Sequence, residues 1–465
     1  MRVLLINPPR EIPQLADFPP MGLAYIGAAL KEHGFEVKVL DGAALSWRAL
    51  EKKIRQFPAQ MIGISCWTVE RAQAYRTAKL ARFLHPQAKI IVGGPHATAF
   101  PKHLFELSQA DVVVVGQGEE TVLELAEHFQ GSGRPLKEIK GIVYKEQGQF
   151  LQTPPREFIK DLDKIPFPLY DDFDLKKYNG LPEISGPVAA LITSRGCPYQ
   201  CAFCAASRFW HRRWLYRSSE NVLKEIEWLL DKFALEGIFF FDDLFALKKD
   251  RAMEICKGIV ARGWNLKWAA ESNVRSVDEE LLTWMRRSGC YRLDFGVESG
   301  SPKILQNIRK PQKAEDIKRA FSLAKKVGIK PRAYLMVGNP GEDEDTIAQT
   351  IALMKEIDPY FSPTGQLLWI LPDTEIYDLA KEQGIISDDF WLESNDMAHY
   401  TGEHSLEELM SLRNQLMKGL AKNQGTLKAY LEYLFLRMYY RFPVVRKFYH
   451  KTLAKASSLF NFLQR

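Results

Sequence analysis

Three cysteines lie within eight residues of one another in Cys197-Pro198-Tyr199-Gln200-Cys201-Ala202-Phe203-Cys204, on a stretch opened by Arg195-Gly196. Three thiolates on one short loop can ligate three irons of a four-iron, four-sulfur (4Fe-4S) cluster, leaving the fourth iron open to a non-protein ligand. A structural zinc site wants a fourth Cys or His. His211 is the only close candidate, and the spacing is not that of a zinc knuckle. On the triplet alone, zinc and an electron-transfer cluster both stay open. The other cysteines, Cys66, Cys256 and Cys290, are scattered through 465 residues. Cys256 on a helical pattern and Cys290 before a strand read as small buried residues. So sparse a set is no disulfide framework, which points to a reducing, cytoplasmic setting.

The triplet follows a strand-like run, Val188–Thr193, that opens an α/β series. Further strands are expected at 237–241, 267–270, 292–297, 330–337 and 365–370. Helices are expected between them at 219–233, 249–262, 279–287, 313–327 and 343–357. Six such units predict a parallel sheet curling into a partial (β/α)6 barrel, with chemistry at the carboxyl ends of its strands.

Cys-x-x-x-Cys-x-x-Cys with the aromatic Phe203 before its last cysteine, after the first strand, resembles the radical S-adenosylmethionine superfamily. Four more stretches resemble that superfamily's strand ends: Phe239-Phe240-Phe241-Asp242-Asp243, Phe295-Gly296-Val297-Glu298-Ser299-Gly300-Ser301, Val337-Gly338-Asn339-Pro340-Gly341-Glu342 and Trp369-Ile370-Leu371-Pro372-Asp373-Thr374. Asp373 stands where glycine is commoner. The resemblance covers residues 188 to about 385. It implies a 4Fe-4S cluster on Cys197, Cys201 and Cys204 that cleaves S-adenosylmethionine to a 5′-deoxyadenosyl radical. Phe203, Asp242, Glu298 and Gly338 would then be its S-adenosylmethionine contacts. Asp242 and Asp243 also read as a helix N-cap pair.

Upstream, residues 1–140 alternate strands (3–6, 36–40, 61–65, 89–92, 112–115) with helices (23–33, 68–83, 120–130), the pattern of a doubly wound, Rossmann-like parallel sheet. Small or polar residues end three strands: Ser65, Gly93-Gly94-Pro95-His96 and Gly116-Gln117-Gly118-Glu119. In open α/β sheets ligands bind there. Ahead of a radical domain, Asn7-Pro8-Pro9, Pro19-Pro20-Met21-Gly22-Leu23, Gly63-Ile64-Ser65, Gly93-Gly94-Pro95-His96-Ala97 and Gly116-Gln117-Gly118-Glu119-Glu120-Thr121 resemble the cobalamin-binding domain of class B radical enzymes. The motif Asp-x-His-x-x-Gly, whose His ligates cobalt in other cobalamin proteins, is missing. The resemblance implies cobalamin bordered by Asn7, Ser65, Trp67, Thr68, Gly93, Gly94, His96, Gly116, Gly118 and Glu119. Trp67 reads either as filler of the axial space or as a core residue, and His96 more as a loop hydrogen-bonder than a cobalt ligand. A methylthiotransferase would carry three further N-terminal cysteines, whereas Cys66 is the only cysteine before Cys197.

Four prolines (154, 155, 166, 168) and a hairpin pattern around Gln147-Gly148 mark residues 141–185 as a connector between this domain and a barrel at 186–390. The N-terminus reads as a first strand rather than a signal peptide, and no apolar run is long enough to span a bilayer. Residues 391–465 are expected to be helical, and the net charge of +6 is concentrated at their end. Beyond Gly425, eight Lys and Arg stand against Glu432 alone, interleaved with Tyr and Phe. That tail reads either as helix packing on the core or as a surface lying on a membrane. With the rest of the chain near neutral, no nucleic-acid partner is expected.

The resemblance implies an enzyme that methylates an unactivated carbon of a small-molecule or lipid substrate, fed by an electron donor such as ferredoxin or flavodoxin. Alternatives are a radical oxidative cyclase of a tetrapyrrole- or lipid-like substrate, and a non-catalytic cobalamin sensor or carrier.

Overall fold

The computed structural model describes residues 1–11, 16–360 and 365–424. The chain divides into two compact units. One comprises Met1–Pro182 with Asp388–Asp396; the other comprises Glu183–Ser387 with the chain from Met397 onward.

The first unit is built on seven strands: β1 (Arg2–Asn7), β2 (Glu36–Asp41), β3 (Met61–Ser65), β4 (Lys89–Gly93), β5 (Val112–Val114), β6 (Ile142–Glu146) and β7 (Gln149–Gln152). Their order is β2-β1-β3-β4-β5-β6-β7, parallel through β5 and antiparallel beyond it. Helices cover both faces, so the central strands are apolar on both sides rather than alternating. Leu4, Ile6, Ile62, Ile64, Ile90 and Val92 share one face and pack with Ala74, Ala78 and Ala81, spaced at helical period along Arg71–Leu84. The small alanines let that helix lie close to the sheet.

The hairpin around Gln147-Gly148 forms, but its strands extend this sheet. Val113 pairs with Val143, and Gln147 and Gly148 take the left-handed conformations of the tight turn. Residues 388–396 also belong to this unit: Arg71, buried, donates to the carbonyls of Ser394 (2.6 Å) and Asp396 (2.8 Å) and lies against the Trp391 ring.

The second unit holds β8 (Val188–Leu191), β9 (Ser194–Arg195), β10 (Leu215–Tyr216), β11 (Gly237–Phe240), β12 (Lys267–Ser272), β13 (Cys290–Glu298), β14 (Lys330–Val337) and β15 (Gly365–Leu367). Six of them form an all-parallel sheet in the order β15-β14-β13-β12-β11-β8, with the short β9–β10 ribbon apart. Sequential order with parallel pairing gives the curled half-barrel expected from the βα repeats. Its outer face is aromatic. Phe240, Phe245 and Trp268 interlock, Trp268 donating to the Ser288 carbonyl at 2.9 Å, and Phe295 packs on Phe321 of the helix Ala314–Lys326. Among the described residues, no helix is long and apolar enough to cross a membrane. The basic, aromatic tail beyond Gly425 lies outside the described residues.

Candidate active site

The cysteine loop is fixed at its root. β8 is wholly buried and runs into Thr193 and Ser194, whose backbone N–H groups donate to Asp242 Oδ1 at 2.6 and 3.0 Å, while the Thr193 hydroxyl donates to Asp242 Oδ2. Arg251, also buried, donates to the carbonyls of Thr193 (2.8 Å) and Arg217 (2.7 Å). Gly196 follows at φ 84°, where an added Cβ would run into the Arg213 carbonyl, so only glycine fits. Farther along, Ala202 N–H donates to Ile308 O (2.9 Å), Ile376 N–H to Ala202 O (3.0 Å) and Ser207 Oγ to Tyr199 O (2.7 Å). Asp242, expected at a ligand, thus has its carboxylate turned onto the loop's own backbone. The adjacent Asp243 is the acid whose charge reaches the thiols.

Burial pushes the Cys197 thiol up to about 12 and Cys201 to about 11, and raises Cys204 as well. Lys310 pulls Cys201 and Cys204 down, and Asp243 pushes Cys197 and Cys204 up. Three half-buried thiols in such a place ionise only against strong added positive charge. Irons supply that charge, and soft thiolates are their matching ligands. Among the described residues, no three His, Cys, Asp or Glu side chains converge on one mononuclear metal position. An open cleft beside the loop is lined by Cys201, Cys204, Arg208, Arg212 and Thr374.

Glu298 ends β13 next to a register shift against β14 and sits at φ 65°, a conformation costly for a residue with a side chain and typical of functional positions. Its carboxylate meets Lys310 Nζ at 2.8 Å. A Cβ on Gly296 would lie 2.6 Å from Glu298 Oε1 and 2.7 Å from Lys310 Nζ, so the glycine makes room for the pair. Lys310 Nζ also lies 5.9 Å from the Phe203 ring. Gly338 (φ 91°) and Asn339 turn their N–H groups onto Glu342 Oε2, at 2.6 and 3.0 Å. Asp373 holds φ 54°, the conformation a glycine there would adopt.

In the first unit the strand order reverses between β1 and β3, which places a ligand crevice at their carboxyl ends. Asn7, at the end of β1, donates to Asp41 Oδ1 at 2.8 Å. Ser65 is half-buried, Thr68 is buried, and Trp67 is 54% exposed, which removes the core reading of the tryptophan. Gly94 (φ 116°) lets the β4 loop press on the Cys66 carbonyl, 2.7 Å from where its Cβ would be. Gly116 (φ 83°) has no atom within 4 Å of its missing Cβ, an open face for a ligand. Gly93 would meet only Val114 at van der Waals distance. Gly118 serves packing, since a Cβ there would meet Ile26 at 2.9 Å, and Glu119 is buried at the start of the helix Glu119–Gln130. His96 is fully buried. Its Nε2 lies 3.0 Å from the Tyr75 hydroxyl, its ring packs on Phe100 and Trp391, and burial lowers its pKa to about 3. Its other ring nitrogen, Nδ1, is buried without a hydrogen-bond partner among the described residues.

Lys310, Glu271, Asp294 and Tyr334 carry no local signal in the sequence, although Lys310 in Arg309-Lys310-Pro311 follows Glu298 by twelve residues.

Residues 15–126 match the B12 binding domain model, and residues 191–354 match the radical SAM superfamily model. A protein of Pyrococcus horikoshii described as an uncharacterized methyltransferase is 36% identical over 368 residues, covering 77% of this chain and 78% of its own. The anaerobic magnesium-protoporphyrin IX monomethyl ester cyclase of Rubrivivax gelatinosus is 28% identical over 405 residues, covering 82% and 72%. Among solved structures, the radical S-adenosylmethionine methyltransferase TsrM from Kitasatospora setae, with cobalamin and a [4Fe-4S] cluster bound, superposes with a TM-score of 0.68 at 22% identity, covering 82% of this chain and 75% of that one. With both family models on one chain, and a relative above a third identical over most of each length, the protein belongs to the radical S-adenosylmethionine superfamily with an N-terminal B12-binding domain.

Proposed function

We propose that this protein is a cobalamin-dependent radical S-adenosylmethionine enzyme that methylates an unactivated carbon of a small-molecule or lipid substrate. The observation that carries the reading is the tethered thiol triplet at the carboxyl end of β8, on a chain that also holds a B12-binding domain. When bound, the cluster would supply the electron that cleaves S-adenosylmethionine, and the corrin a transferable methyl group.

The chain's own residues divide the remaining work. Cys197, Cys201 and Cys204 would hold three irons. Asp242 and Arg251 fix the strand end from which that loop departs. Lys310, an ammonium beside Cys201 and Cys204, offers a charge-assisted hydrogen bond to a carboxylate, and Glu298 holds it in place. Phe203 and the turn at Gly338 would border the nucleoside. In the first unit Asn7, Ser65, Trp67 and Thr68, with Gly93, Gly94, the open Gly116 and the packed Gly118-Glu119 corner, would border the corrin. The electron would come from a ferredoxin- or flavodoxin-like donor in the cytoplasm, and the basic tail would contact a membrane if the substrate is a lipid.

The test is anaerobic: reconstitute with iron, sulfide and cobalamin, reduce, add S-adenosylmethionine, and quantify 5′-deoxyadenosine and S-adenosylhomocysteine. A methylase forms both with its true substrate. A protein that forms no 5′-deoxyadenosine refutes the reading, as does a Cys201→Ala variant that keeps its cluster and still cleaves S-adenosylmethionine. Radical oxidative cyclisation is the second reading, favoured by the likeness to the cyclase. It would give 5′-deoxyadenosine with a cyclised product and no methyl transfer.

A further inference from the structure

The inner face of the half-barrel, opposite the helices, carries a row of polar side chains below the cysteine loop. In the β-ladder Glu271 of β12 pairs with Asp294 of β13, and Asp294 with Arg332 of β14, so the three stand side by side on one face. Tyr334, two residues along β14 and on the same face, places its hydroxyl 3.1 Å from Glu271 Oε1 and 3.1 Å from Asp294 Oδ2. Tyr334 is 38% exposed, and Phe241 at the end of β11 is 51% exposed.

The hydrogen count at this junction is fixed. A phenol has one hydrogen and can donate to one carboxylate at a time. With two carboxylate oxygens at hydrogen-bond distance, either one carboxyl carries a proton and donates to the phenol, or one oxygen lacks a donor. Burial raises the Asp294 carboxyl too, but Arg292 Nε at 3.0 Å and Arg332 Nη1 at 3.5 Å oppose that shift, which makes Asp294 the better compensated of the two and the one that holds its charge. Glu183, at the far side of Arg292, is held by that guanidinium (2.8 Å) and by Tyr291 (2.9 Å). Glu271 has no ion-pair partner among the described residues, and the charges facing it are Asp294 and Asp243, opposed by Arg332. Burial and the two aspartates push it up to about 7. A carboxyl in this state is neutral or charged according to what sits beside it.

We propose that Glu271, with Tyr334 as its hydrogen-bonding partner, is the substrate-anchoring and proton-accepting group of the barrel, recognising an O–H or N–H function on a molecule with an apolar body. The exposed rings of Phe241 and Tyr334 would take the apolar part. When Glu271 is ionised, Tyr334 donates to Asp294, and the free Glu271 oxygen accepts the substrate's hydrogen. If the proton transfers, the O–H or N–H bond breaks, a carboxyl O–H forms on Glu271, and the electron pair stays on the substrate heteroatom, so no oxidant or reductant is consumed. The proposal rests on reading the barrel as the reaction chamber.

The test places 3-fluorotyrosine at position 334 of the full-length protein and follows its fluorine resonance. The expected result is a titration near pH 7 that disappears in Glu271→Gln. The resonance should also shift saturably with benzyl alcohol, and not with benzyl methyl ether, which lacks the donor. No inflection between about pH 5.5 and 8.5, an inflection that survives Glu271→Gln, or equal responses to the two probes would overturn the proposal. Should Glu271→Gln not fold, the infrared band of the protonated carboxyl gives a second readout. It moves in Tyr334→Phe if the pair is hydrogen-bonded, and an unmoved band overturns the assignment. Iron content and 5′-deoxyadenosine formation in the same preparations report separately on the radical-enzyme reading, so the two failures are told apart.

Discussion

Replacing Asp242 tests whether the cysteine loop is held by the strand behind it. The carboxylate is 1% exposed and accepts from two backbone N–H groups and one hydroxyl, with Arg251 as the nearby cation. Asp242→Ala leaves the Thr193 and Ser194 N–H groups without an acceptor, at about 1–3 kcal/mol for each buried orphan, and removes the anion facing a buried guanidinium. These costs overlap, so the expected loss is about 3–5 kcal/mol. Asp242→Asn keeps one oxygen for both N–H groups, and its amide can face the Thr193 hydroxyl as a donor. It mimics the protonated acid, toward which burial already pushes Asp242, so its expected cost is about 1–2 kcal/mol. Urea unfolding of the as-isolated proteins orders the three, and iron per chain after anaerobic reconstitution should fall in the same order. An alanine variant within about 1 kcal/mol of wild type, with full iron, would refute the anchoring role. An asparagine variant as damaged as alanine would mean that charge, rather than hydrogen-bond geometry, holds the loop.

Lys310→Met should destabilise by about 3 kcal/mol, because Glu298 then keeps a buried charge without its partner; adding Glu298→Gln should recover most of this in a denaturant double-mutant cycle. His96→Phe should leave the electron paramagnetic resonance of bound cob(II)alamin unchanged, and wild type should lack nitrogen splitting from a protein ligand, since the His96 ring is fully buried. Glu342 should make stability fall with rising pH. Its folded pKa of about 7 exceeds the ordinary 4.5, so the folded state holds the proton more tightly, and that contribution is complete below about pH 4.5 and lost as pH rises through 7. Glu342→Gln presents the same carbonyl to Gly338 and Asn339 without an ionisable group, so it should match wild type near pH 5 and exceed it near pH 8 by up to about 3 kcal/mol in thermal or urea unfolding.

What the sequence disclosed follows the range of the interactions involved. The thiol triplet, the glycines and the strand–helix alternation are local patterns, readable from spacing alone. Asp373 shows the reach of such reading: it departs from the usual glycine yet keeps the left-handed backbone. Pairings between parallel strands are not local. Glu271, Asp294 and Tyr334 meet across gaps of 23 to 63 residues through ladder registers that no single strand reveals. The same holds for Asp388–Asp396, carried into the first unit by hydrogen bonds from Arg71 over more than 300 positions. Asp242 was legible as an acid at a strand end, but its target was not, because the Thr193 amide it binds lies 49 residues away. The hairpin around Gln147-Gly148 is local and legible, whereas its attachment to the first sheet runs through the pairing of Val113 with Val143, which no local pattern discloses.

The two faces of the half-barrel explain why so polar an interior persists. Its outer face, with Phe240, Trp268, Phe295 and Phe321 fully or nearly fully buried, supplies the apolar burial that stabilises the sheet against its helices. The inner face carries Arg292–Asp294, Glu298–Lys310 and the Glu271–Tyr334 contact. Buried ion pairs contribute little net stability compared with apolar side chains of the same volume, because desolvation offsets most of their attraction. A barrel selected for stability alone would fill that face with leucine and valine. The charges instead occur in two levels. One, Glu298–Lys310, lies beside the cysteines, where it can meet a charged cofactor, and the other lies deeper, where Glu271 has no ion-pair partner among the described residues. That arrangement separates the position where S-adenosylmethionine would bind from the position where a substrate would be held, and assigns each its own titratable group.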